Sequence, residues 1–278
     1  MYTLLFIFCF IITVTALEAA IFIYHVVHFP TEHGKAVTWD GPVPFCSTLI
    51  YNPARRWEAW RYLTYMLVHI GIAHFVFNMI MQIIVGVFLE MEQEGWMGSL
   101  RVAAVYLSGV LAGSLGTSIS EPNTYVAGAS GGVYALIAAH LATLALNWKE
   151  DSSVRIRKVI HKPLTRIVRL VFIITLTAHD VAFAVYVYIT DGDNKTGFMG
   201  HLCGAIAGLL VGLFILDNRR VSSWEPIVQW IALSLFVVML IFAIIWNIWA
   251  NTWVCETGSY CIFPEPSPYG INECKHYD

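Results

Sequence analysis

Ser130 lies in the run Gly128-Ala129-Ser130-Gly131-Gly132 at the head of one apolar stretch, and Gly200-His201 heads another. A serine hydroxyl is a weak nucleophile until a neighbouring base takes its proton, and histidine is the usual base. Polar reactive groups inside an apolar span are costly, so by default they signal function. The chemistry this pair offers is nucleophilic hydrolysis of an acyl group. The flanking Gly128 and Gly131 suit a tight turn or a close helix approach. Such small-residue runs also serve ordinary helix packing, and that remains the alternative for the serine segment taken alone.

Further residues surround the pair in sequence space. Gly204, Gly208 and Gly212 recur every four positions after His201 and give one smooth helix face, with His201 on nearly the same face. That face can approach the Ser130 helix closely, with Gly131-Gly132 as the matching thin spot. Tyr134, one turn after Ser130, is placed to pack under the imidazole. His74 and Asn78 are four apart and share a face. With the Ser130 backbone N–H they can form an oxyanion hole, in which losing one donor costs about 3–4 kcal/mol of barrier. A His-Asn pair linking two helices is the other reading. No acidic residue has a claim as a third catalytic member, so a Ser-His dyad is the assignment. No Cys/His cluster has metal-ligand spacing, and the mechanism requires no metal or cofactor.

The elements that must position these residues are membrane helices. Of the 278 residues, 58% are hydrophobic and only 13% charged, against about 25% charged in soluble domains. The 16 basic and 19 acidic residues leave no basic footprint for nucleic acid. The predicted class is all-α and polytopic. Seven spans are expected, at about Tyr2–Phe29, Ile70–Leu89, Leu100–Ile119, Ala127–Leu146, Ile167–Ile189, Phe198–Leu216 and Pro226–Ala250. The corresponding organisation is a first helix (1–29), an outer loop (30–69), helices 2–6 (70–216), a seventh helix (217–250) and a Cys-containing tail (251–278). The first span reads as a retained helix; a cleaved signal peptide is the alternative, but no basic n-region precedes it.

Lys and Arg gather between Lys149 and Arg169, and with Arg101, Arg219 and Arg220 they mark the expected cytosolic side. The N-terminus is then cytosolic, and the C-terminus and site opening are lumenal or extracellular. Cys46, Cys255, Cys261 and Cys274 fall on that oxidising side, permitting two disulfides in three pairings or leaving some thiols free. Asn194-Lys195-Thr196 is a glycosylation sequon in a short outer loop, expected to be unoccupied. Glu18, His179 and Asp180 are polar residues within spans and read as inter-helix hydrogen-bonding groups.

In these segments the sequence resembles the rhomboid family of intramembrane serine proteases. The resemblance rests on Glu58-Ala59-Trp60-Arg61-Tyr62, on His69-Ile70-Gly71 with His74 and Asn78, on Gly128 through Leu136, and on Gly200-His201 with Gly204 and Gly208. It covers about Pro53–Leu216, and the seventh span matches animal rhomboids of the secretory pathway. The resemblance implies a six-helix core plus one helix, with Ser130 as nucleophile, His201 as base, and His74 and Asn78 supporting the oxyanion. Trp60 and Arg61 match the motif of a first loop lying partly in the outer leaflet, and Asp191–Lys195 would cap the site. The implied substrates are single-pass membrane proteins cut in or near their transmembrane helices, including EGF-like growth-factor precursors. A catalytically silent relative that binds membrane clients is the alternative. The oligomeric state is open.

Overall fold

A computed structural model describes residues 9–33, 36–93, 95–146, 167–178 except 169, 182, 189, 197–217 and 223–256. Among these the fold is all-helical, with one isolated antiparallel bridge between Tyr51 and Val126. Five described helices are long and apolar enough to cross a membrane. The chain is a multi-pass integral membrane protein.

Helix α1 is described over Cys9–His33. The N–H groups of Phe10 and Ile11 donate to the Glu90 carboxyl group at 3.1 and 3.3 Å, which ties α1 to the far end of the helix that carries Glu90. The first loop then folds through a one-turn helix α2 (Arg61–Thr64) and enters α3 (Gly71–Gln93). Gly71 has φ +72°, and a β carbon there would lie 2.6–2.8 Å from backbone atoms of residues 39–41. That close approach lets Ile72 and Ala73 donate to the carbonyls of Thr38 and Trp39 at 3.0 and 2.9 Å.

Helix α4 (Gly95–Ser120) is a full-length span, and 17 residues of α5 (Ser130–Leu146) are described. At 1.5 Å per residue these measure about 39 and 25 Å. The expected start of α5 at Ala127 is therefore three residues early. Val126 is held extended by exchanging N–H···O bonds of 3.1 and 3.3 Å with Tyr51, and Gly128 takes φ +115°. Neither conformation is helical, so the helix is delayed until Ser130. Helices α6 (Phe198–Ile215) and α7 (Glu225–Glu256) complete the fold. Helix α7 extends past the expected Ala250, so Cys255 falls in its last turn rather than in a tail.

Helix α5 is the centre, packed by α3, α4 and α6, while α1 leans on α3 and α4 and α7 on α4 and α6. The outer faces of α3 and α7 expose Ile80, Phe88, Ile231, Phe242 and similar side chains to lipid. Buried Asn247 tethers α7 to the core, accepting from the Tyr62 hydroxyl at 3.2 Å and from the Ser118 hydroxyl. In the expected span 167–189, residues 167–168 and 170–178 are helical. His179, Asp180, Asp191–Lys195, the sequon, most of the basic loop, and Cys261 and Cys274 lie outside the described residues. Cys46 is in a disulfide, and among the described residues Cys203 is a free thiol.

Candidate active site

The glycine face after His201 meets α5 in parallel register. A β carbon at Gly204 would overlap the Gly131 carbonyl oxygen, one at Gly208 would overlap Ala135, and one at Gly212 would stand 3.3 Å from Ala139. The offset between partners is constant along the pair, so the helices run parallel with their backbones nearly touching. In a bilayer this contact is made by van der Waals packing, since lipid gives apolar burial no driving force. Gly131 also faces the Tyr65 hydroxyl and Gly109 of α4, so three elements converge on the first turn of α5. Gly132 does not serve the α6 contact. It points about 100° away around the helix and faces the ring of Tyr106 on α4.

This register brings the head of α6 beside the head of α5. The His201 and Tyr134 rings stack with centroids 4.4 Å apart and planes 10° from parallel. Tyr134 and Ser130 are one turn apart on α5 and share a face, so His201 stands on the face that carries the Ser130 hydroxyl. Both Ser130 and His201 are partly exposed. The first intrahelical acceptor of α5 is the Ala129 carbonyl, bonded by Gly132 at 3.0 Å and Val133 at 3.1 Å. The N–H groups of Ser130 and Gly131 precede that bond and form the positive end of the helix.

His74 reaches the same point from α3. Its ring lies against Gly128, where a β carbon would be 2.8 Å from Nε2 and would overlap Cε1. His74 and His201 are within electrostatic reach of each other. Asn78, one turn further along α3, is buried and donates one amide hydrogen to the His74 carbonyl at 2.9 Å. Its second amide hydrogen remains for another acceptor.

The approach to Ser130 is fixed by the first loop. Gly128 N–H donates to the Tyr65 carbonyl at 3.1 Å, and the Tyr65 hydroxyl donates to the Val110 carbonyl at 2.7 Å. Arg61 is buried and donates to the carbonyls of Ser47 and Ile50 at 2.9 and 2.8 Å, with Glu58 as its ion-pair partner. Arg56 reaches across to the Pro122 carbonyl at 2.8 Å. Trp60 is mostly exposed and donates to the Thr48 carbonyl at 3.2 Å, as expected of an interfacial aromatic. Arg61 and Trp60 thus hold the loop that supports the site. Tyr65, Tyr51 and Arg56 are supports that sequence reasoning missed, because their partners are remote carbonyls that leave no local pattern.

His69, in the loop before α3, is buried with its ring 5.5 Å from that of His74. Burial, reinforced by the nearby His74 and His25, lowers its pKa from 6.5 to about 3. The unfolded chain therefore takes up this proton first, and native stability falls as the pH drops below 6.5. Between pH 6.5 and 5 the expected loss from His69 is about 1.5 kcal/mol. Thermal unfolding of detergent-solubilised protein should show this slope, and His69→Phe should flatten it. An unchanged slope in the variant assigns the proton uptake elsewhere.

The comparisons agree with this architecture. The family model described as Rhomboid domain matches residues 56–218. Rhomboid-related protein 2 of Mus musculus is 38% identical over 87% of this chain and 75% of its own length. Rhomboid-related protein 3 of Homo sapiens is 35% identical over 87% of this chain and 57% of its own length. Inactive rhomboid-related protein 2 of Caenorhabditis elegans is 30% identical over 81% of this chain and 59% of its own length. The chain thus spans little more than half of the latter two proteins. A multi-pass helical fold, the stacking of His201 on Tyr134 one turn past Ser130, and a family match over more than half the chain lead to one assignment: the protein belongs to the rhomboid family.

Proposed function

We propose that the protein is an intramembrane serine endopeptidase acting through a Ser130–His201 dyad. The observation that carries this reading is the stacking of His201 on Tyr134, one turn below Ser130, at the head of α5. His201 accepts the Ser130 proton as Ser130 attacks the peptide carbonyl, giving a tetrahedral oxyanion. His201 then gives the proton to the leaving amine as the C–N bond breaks and the acyl-enzyme forms, and water hydrolyses the ester by the same route. His74, Asn78 and the Ser130 N–H donate to the oxyanion. Replacing either His74 or Asn78 by Ala should lower kcat about 100-fold with little change in KM. Steady-state kinetics showing a change in KM alone would place them in substrate binding.

A peptide must be extended to be cut, so a substrate helix has to unwind first. Unwinding in lipid exposes N–H and C=O groups at several kcal/mol each. Single-pass proteins with Gly, Pro or small polar residues near the outer end of their helix are therefore the preferred class. We assign the site opening to the lumenal or extracellular side and the protein to the secretory pathway, with growth-factor precursors among its substrates. Two of the cited relatives carry no mention of inactivity in their names and one is named inactive, so catalysis is tested directly. A tagged single-pass growth-factor precursor is co-expressed with wild type or Ser130→Ala at matched abundance, alongside a precursor carrying a uniform Leu helix. Ser130-dependent release of an ectodomain from the first precursor alone is the expected result. No release with normal expression favours a silent, client-binding role, and equal release from both precursors removes the unwinding requirement.

A further inference from the structure

Beneath the site, three helices meet around Glu18 of α1, Gln82 of α3 and Tyr106 of α4, all fully buried. Three polar contacts of 2.8 Å close a triangle: Gln82 Nε2 to Glu18 Oε2, the Tyr106 hydroxyl to Glu18 Oε1, and the same hydroxyl to Gln82 Oε1. The second hydrogen of the Gln82 amide goes to Thr15 Oγ1 at 2.8 Å, and Thr15 spends its own proton on the Ile11 carbonyl at 2.7 Å. Three edges need three hydrogens. Gln82 supplies one and Tyr106 supplies one. If the carboxyl is ionised, one oxygen–oxygen edge has no hydrogen in it and is repulsive. Turning the Gln82 amide over reverses the direction of the circuit and leaves the same deficit.

We infer that Glu18 stands in the membrane as a neutral carboxylic acid, and that through Tyr106 it is a positioning residue for the Ser130 helix. With the acid proton in place, Glu18 donates to Tyr106, Tyr106 donates to Gln82, and Gln82 donates back to Glu18. Every donor and acceptor on the triangle is then used once. An ionised Glu18 would be a charge buried without an ion-pair partner among the described residues, a state that proteins avoid by neutralising the group.

The circuit touches both halves of the site. Gln82 follows His74 and Asn78 at four-residue steps on α3 and lies on their face. The ring of Tyr106 fills the space over Gly132, where a β carbon would overlap it. Gly132 is two residues past Ser130, in the first turn of α5. Fixing the Tyr106 hydroxyl therefore fixes the ring on which the head of α5 rests, in register with the helix carrying the oxyanion donors. The catalytic half of this inference rests on the hydrolase reading above; the proton inventory does not.

The test uses the full chain in detergent, with infrared spectra and kinetics. Wild type and Ser130→Ala at neutral pH should both show a protonated-carboxyl C=O stretch that Glu18→Gln lacks. Because Ser130→Ala cannot turn over, this result stands apart from the hydrolase reading. Glutamine carries the same one-donor, one-acceptor edge as the neutral acid, so Glu18→Gln should keep kcat within about twofold. Glu18→Ala, which opens the circuit, and Tyr106→Phe, which keeps the ring but not the hydroxyl, should each lower kcat about tenfold at unchanged KM. If Glu18→Ala fails to fold, Tyr106→Phe carries the comparison. Absence of the carboxyl stretch overturns the protonation. Wild-type turnover in Tyr106→Phe, or equal damage from Glu18→Gln and Glu18→Ala, overturns the positioning.

Discussion

Ser130→Ala is expected to leave the protein at normal abundance and to lower substrate cleavage by on the order of 10⁴-fold or more. The substitution removes one oxygen at a partly exposed position at the head of α5, so neither packing nor a helix cap explains such a loss. His201→Ala should cost a similar amount, and the double variant should be no worse than either single one. Residues acting as a unit show this non-additivity, because removing either partner disables the same step. The check is turnover by purified single and double variants on one transmembrane substrate. Additive losses would mean that the serine and the histidine act separately.

The second large effect is expected at Gly204, which is buried against the backbone of α5. A valine there drives its β carbon into the Gly131 carbonyl oxygen, and backbone cannot rotate away as a long side chain can. Overpacking of this kind costs about 1–3 kcal/mol. The relief is a parting of α5 and α6, the two helices that carry Ser130 and His201. A displacement of about 1 Å is worth roughly 100-fold in rate. Gly204→Val should therefore lower both thermal stability and turnover, the latter by at least about 100-fold. Gly197→Ala is the control, since a β carbon at Gly197 meets nothing within 4 Å. Unchanged turnover in Gly204→Val would sever the link between helix register and catalysis.

Local periodicity makes much of this arrangement legible. Glycines at four-residue steps announce a close helix contact because only one face needs to be smooth, and α6 meets α5 along that face. Helix geometry alone places Tyr134 relative to Ser130, and it stacks on His201. The start of α5 is not legible, because Ala127 and Ala129 carry no sign that Val126 pairs with Tyr51, a contact made across half of the first loop and the helices α2, α3 and α4. Glu18 is visible as an isolated polar residue, whereas its partners Gln82 and Tyr106 are 64 and 88 positions away. Polar residues in apolar spans are the available signal, and Gln82 shares it with Asn78. The end of α7 is blurred because nothing between Ala250 and Glu256 breaks a helix.

Covalent capture of the nucleophile distinguishes an activated Ser130 from an ordinary hydroxyl. Wild-type protein in detergent is treated with a fluorophosphonate, which reacts with activated serines, and the adduct is mapped by peptide mass. Modification is expected at Ser130 and should disappear in His201→Gln, although the serine is intact there. No adduct at Ser130 in folded wild-type protein, or an adduct formed equally well without His201, would contradict a Ser130–His201 dyad.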